Sequence, residues 1–124
     1  MPPSEPSAAR PDLDALRDRL RAFVDARDWD QFHAPKSLAM SVLIEAGELA
    51  EHFQWLPTGA PSELAPGQTV KIGEELADVL LYVIRLADKL DIDLPAAAAR
   101  KLAINAEKYP VGKARGRSEK YDRL

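Results

Sequence analysis

At 124 residues, with 46% apolar and 30% charged side chains, the chain has the size and composition of one folded domain. Its net charge of −3 is too small to steer it toward a nucleic-acid polymer or an anionic membrane, and without cysteine it holds no disulfide or thiolate metal site. No apolar run approaches the roughly 20 residues that span a bilayer, and the N-terminus lacks the basic and apolar regions of a secretory signal, so a cytoplasmic setting is expected.

Four of the ten prolines fall within the first eleven residues, beside Ser4 and Ser7, which predicts a disordered tail over 1–11. Asp12 can cap a first helix over 12–28, with Leu13, Leu16, Leu20, Phe23 and Val24 recurring at helical spacing. Residues 29–35 read as a connector closed by Pro35. A second helix is expected over 36–55, with Leu38, Val42, Leu49 and Phe53 on one stripe. A proline- and glycine-rich loop over 57–67 follows. The third helix, 68–90, is apolar over most of its circumference (Leu76, Val79, Leu80, Leu81, Val83, Ile84, Leu86), the pattern of a buried helix. A fourth starts near Pro95 and stops at Pro110, leaving a polar, basic segment over 111–124 with a possible role in phosphate contact. The predicted architecture is all-α: a four-helix bundle over 12–110, with no strand.

Four acidic residues stand out. Glu45 and Glu48 lie three apart in an otherwise apolar helix, and Glu75 and Asp78 repeat the spacing on the third. Residues three apart share a helix face, and antiparallel packing of the two helices can bring the pairs together. Four converging carboxylates are costly to bury unless a hard cation joins them, and Mg²⁺ (or Mn²⁺ in its place) prefers oxygen ligands. The bland alternative, a solvated acidic stripe, fits an isolated pair better than two pairs inside apolar helices. Glu48 is equally consistent with a ligand and with a general base, and Glu51 and Glu74 are possible substitutes. Tyr82 follows Glu75 by seven residues and Trp55 follows Glu48 by seven, so both should overlook the acidic site. Lys101, Asn105 and Lys108 share one face of the fourth helix, which by itself reads as a solvated stripe.

The order E-x-x-E, 26 residues, E-x-x-D, together with W-D-Q-F-H over 29–33 and I-N-x-x-K-Y-P over 104–110, resembles the MazG-like, all-α nucleotide pyrophosphohydrolases, and within them the dCTP pyrophosphatase branch. The resemblance implies cleavage of a nucleoside triphosphate, dCTP or a modified pyrimidine deoxynucleotide first, to the monophosphate and pyrophosphate. It implies Mg²⁺ at Glu45, Glu48, Glu75 and Asp78. It carries base contacts onto Trp29, His33 and Trp55, beside Tyr82, and phosphate contacts onto Lys101 and Asn105 with Tyr109 as neighbour. A homo-oligomer, dimer or tetramer, is expected as well. The first helix departs from the family in carrying Leu20 and Arg21 where relatives often place polar, base-facing residues including a histidine, which bears on the preference for cytosine.

Two rivals are weaker. A carboxylate-bridged di-iron bundle asks for Glu-x-x-His on two helices, and neither pair here ends in histidine. A non-enzymatic oligomerisation module explains the apolar helices but not the acids set inside them.

Overall fold

The structure, a computed structural model, describes residues 10–124, so the expected tail lies almost wholly outside the described residues. Its elements are helical throughout: α1 (Leu13–Ala26), α2 (Pro35–Glu51), α3 (Gln68–Lys89), α4 (Leu94–Lys108) and the short α5 (Val111–Ala114), with 3₁₀ turns at Asp30–Phe32, Pro61–Glu63 and Tyr121–Arg123. No strand occurs among the described residues.

The chain divides into two compact units, one ending at Asp91 and the other running Ile92–Leu124. In the first, α3 is the central element and packs against both α2 and α1. Leu38 of α2 and Val24 of α1, both placed on apolar stripes by their spacing, are its most deeply buried large side chains. Asp12 caps α1 as expected, its carboxylate accepting from the Ala15 amide at 2.8 Å. In the second unit Asp93 does the same for α4, accepting from the Ala96 amide, and a proline sits in the first turn.

Three expectations change. The second helix stops at Glu51 rather than reaching Trp55; residues 52–55 continue as turns. The connection that follows is built, not loose. Glu63 accepts from the Thr58 amide at 3.0 Å, the Thr58 hydroxyl at 2.7 Å and the Gly59 amide at 3.1 Å. Gly59 has φ +78 and lies so close over the Phe53 ring that a Cβ would meet Cδ1 at 2.7 Å, so both backbone shape and space demand glycine. Finally, α3 is not buried all round. Ile72, Ile84, Arg85 and Ala87 face inward, while Val70, Leu76 and Leu80 remain exposed. Phe23, on the apolar stripe of the first helix, is partly exposed and meets Trp29 edge-on.

Candidate metal and nucleotide site

The carboxylates meet where α2 crosses α3. Helical spacing puts Glu45 and Glu48 on one face of α2 and Glu75 opposite them on α3, and an oxygen from each lies within 4.8 Å of the others. One oxygen each of Glu45 and Glu75 is buried with no hydrogen-bond partner among the described residues. An orphaned buried carboxylate oxygen is costly, and two of them aimed into one acidic cluster are a donor set suited to a hard divalent cation. Burial raises the Glu45 carboxyl to about 7, helped by the Glu48 carboxyl beside it and by the negative charge of Asp78. Asp78 itself lies one turn on from Glu75 and is not among the three oxygens that converge. A shallow hollow of about 420 Å³ opens next to the cluster, lined by Glu48, Glu51, His52, Gln68 and Glu75.

Asp78 instead lines a second, more apolar cavity of about 230 Å³ between α1, α3 and the 29–33 segment. Trp29, His33, Tyr82 and Arg85 share that lining, and Leu20, Phe23, Val24 and Leu81 complete it. Three residues expected to hold a base, two from the 29–33 segment and one from α3, thus surround one space whose wall also carries a member of the acidic motif. Leu20 supplies apolar wall in place of a polar group.

Trp55 is elsewhere. Because α2 ends at Glu51, the heptad spacing from Glu48 no longer turns Trp55 toward the acids, and it is 86% exposed. Lys101 and Asn105 lie on α4 of the second unit, and Tyr109 is its C-cap, with its amide bonded to the Asn105 carbonyl. Within that unit Tyr109 meets Tyr121 edge-on, and the Lys108 ammonium sits 4.8 Å from the Tyr121 ring centroid.

Arg85 escaped the sequence reading. It is only 6% exposed, inside the helix read as apolar over most of its circumference. Its Nε donates to His33 Nδ1 at 3.0 Å, one terminal nitrogen to Asp30 at 2.6 Å and the other, more weakly, to Asp88 at 3.4 Å. Asp88 also receives a two-pronged contact from Arg21, and Asp30 one from Lys89 at 2.8 Å. These cations hold both aspartates below the usual carboxylate range: chiefly Lys89 for Asp30 and Arg21 for Asp88. Burial, then the Arg85 charge, pushes the His33 imidazole down. The only sequence trace of this network is the i,i+3 pair Arg85 and Asp88 with Lys89 alongside; its remaining members lie more than fifty residues away.

The model of the MazG-like family matches residues 40–124, which include both acidic motifs. Human dCTP pyrophosphatase 1 is 41% identical over 116 residues, 92% of this chain and 68% of that protein. Its bovine counterpart is 40% identical over 119 residues, 94% and 70%. The crystal structure of a pyrophosphatase from Archaeoglobus fulgidus superposes with a TM-score of 0.73 at 40% identity, covering 79% of this chain and 92% of the other.

Proposed function

Because this chain belongs to the MazG-like family, we propose that it is a Mg²⁺-dependent nucleotide pyrophosphohydrolase that cleaves a pyrimidine deoxynucleoside triphosphate, dCTP or a modified relative first, to the monophosphate and pyrophosphate. The observation that carries the reading is the adjacency just described. A cavity walled by Trp29, His33 and Tyr82 includes Asp78, one turn from Glu75 in the acidic cluster. Human and bovine relatives named dCTP pyrophosphatase support the choice of substrate.

A base entering the cavity would stack on Trp29 and Tyr82, which gives affinity of about 1–3 kcal/mol per ring with little base preference. His33 is the polar group left to read its edge. The triphosphate would then run toward the hollow beside Glu48 and Glu75. Glu45, Glu48, Glu75 and Asp78 would hold Mg²⁺, which when bound neutralises the polyphosphate and lowers the pKa of an attacking water. Glu48, the most exposed of the cluster's three acids, is the candidate that in place of a ligand role would take the water's proton as the water oxygen bonds to phosphorus. The α–β phosphoanhydride breaks and pyrophosphate leaves. Lys101, Asn105 and Tyr109 are proposed phosphate contacts, and Trp55 a base contact offered to a neighbouring copy.

No described helix is long and apolar enough to cross a membrane, and we place the enzyme in the cytoplasm acting on free nucleotides. The test is a panel of dCTP, dTTP, dUTP, dATP and dGTP at fixed Mg²⁺, with pyrophosphate and monophosphate followed separately. Metal-dependent release of both, fastest with a pyrimidine, is expected. Release of orthophosphate alone would refute the pyrophosphohydrolase reading, and no release at all would favour a non-enzymatic helical module.

A further inference from the structure

We infer that Arg85 is a positioning residue that fixes His33 as a hydrogen-bond donor toward the base cavity, and that this donor selects a pyrimidine whose ring N3 is an acceptor. The inference rests on the reading of the Trp29–Tyr82 cavity as the base site.

A guanidinium cannot accept a hydrogen bond, and it keeps its protons at any pH a protein survives. With Arg85 Nε donating to His33 Nδ1 at 3.0 Å, that ring nitrogen must be the unprotonated one. The neutral imidazole therefore carries its proton on Nε2, which has no hydrogen-bond partner among the described residues, on a ring that lines the cavity. A second proton on the ring would set N–H against N–H, and the lowered affinity of His33 for protons agrees with that geometry.

The guanidinium is itself locked. Arg85 is buried, and Asp30 and Asp88 hold its two terminal nitrogens from different elements. Its plane cannot rotate without breaking all three contacts, so the imidazole is held in orientation as well as in tautomer. Cytosine and the 4-keto pyrimidines differ at N3: cytosine accepts there, whereas uracil and thymine donate. A fixed N–H facing N3 pairs with the first and leaves two opposed donors with the second, a mismatch that stacking cannot offset.

The experiment has two arms. In the free, full-length protein, nitrogen-15 NMR of the imidazoles should show His33 protonated on Nε2, and still neutral below the ordinary histidine range. Protonation on Nδ1 would overturn the inference. In the second arm kcat/KM is measured for dCTP and dUTP with wild type, Arg85→Met, Arg85→Lys and His33→Ala. Arg85→Met leaves Asp30 paired with Lys89 and Asp88 with Arg21, so each aspartate keeps a cation. It should lower the dCTP to dUTP ratio about tenfold, the worth of one well-made hydrogen bond. Arg85→Lys, which keeps a donor and a charge, should restore part of it. An unchanged ratio in Arg85→Met would overturn the inference. If His33→Ala instead left both nucleotides unaffected, the base-site reading would fail whatever the tautomer, and the NMR arm tells the two failures apart.

Discussion

Glu45 is the side chain on which the acidic site turns. Its carboxyl is raised to about 7 by burial and by the acids around it, well above the 4.5 of a free glutamate. A raised carboxyl means that the folded protein holds a proton the unfolded chain releases. Its contribution to stability is thus full below about pH 4.5 and is lost as pH climbs through about 7. In the metal-free protein the wild-type melting temperature should therefore fall relative to Glu45→Gln between pH 5 and 8, and saturating Mg²⁺ should recover it. Parallel melting curves for the two proteins across that range would contradict the assignment. Hydrolysis by Glu45→Gln or Glu75→Gln should drop about 100-fold or more, with helicity unchanged, as for loss of a preorganised charge contact. The acids were legible because i,i+3 spacing is visible in any apolar helix. Arg85 was not, because two of its three partners, Asp30 and His33, come from a segment more than fifty residues away. Only the packing of α3 against the 29–33 segment brings these together.

Element limits were legible wherever a local signal set them. Asp12 and Pro110 bound their helices because capping oxygens and missing amides act over one turn. The end of α2 had no such mark: Glu51 to Trp55 carries neither glycine nor proline, and good helix formers continue the stripe. The helix stops there because Phe53 packs under Gly59 and the carbonyl of His52 accepts from Gln68, which ties the chain back toward the start of α3. That tertiary choice turned Trp55 outward. Leu38 of α2 is 1% exposed, in the unit where α2 packs against α3 and brings the carboxylates together. Truncating it to alanine should cost about 2–5 kcal/mol by urea denaturation, because a close-packed interior cannot fill the gap. The same variant should weaken Mg²⁺ binding, although Leu38 touches no ligand. A loss under 1 kcal/mol would show that α2 is held by something other than this contact.

Among the described residues, several large apolar side chains lie open along helix faces. Met40, Leu43 and Ile44 sit at i, i+3 and i+4 on the outer face of α2, with Leu43 64% exposed, and Leu76 and Leu80 form a second stripe on α3. Burying a leucine or isoleucine contributes about 1.5–3 kcal/mol each, and contiguous exposed stripes of this kind mark contact surfaces. Within its own unit α3 packs only against α1 and α2, so a helix read as apolar over most of its circumference is buried on one side. We propose a second copy as their covering, since a closed symmetric pair meets apolar patch with apolar patch. It would also give the exposed Trp55 a neighbouring cavity to serve. The expected outcome is a dimer or tetramer by light scattering at micromolar concentration. Leu43→Glu should shift the mass toward monomer with the circular dichroism unchanged, because a carboxylate buried in such a contact without a partner costs several kcal/mol. If Trp55 serves a neighbour, activity should fall with the mass on dilution of the variant, and dCTP turnover that stayed constant while the protein became monomeric would confine the site to one chain. A wild-type monomer would mean that these stripes face water.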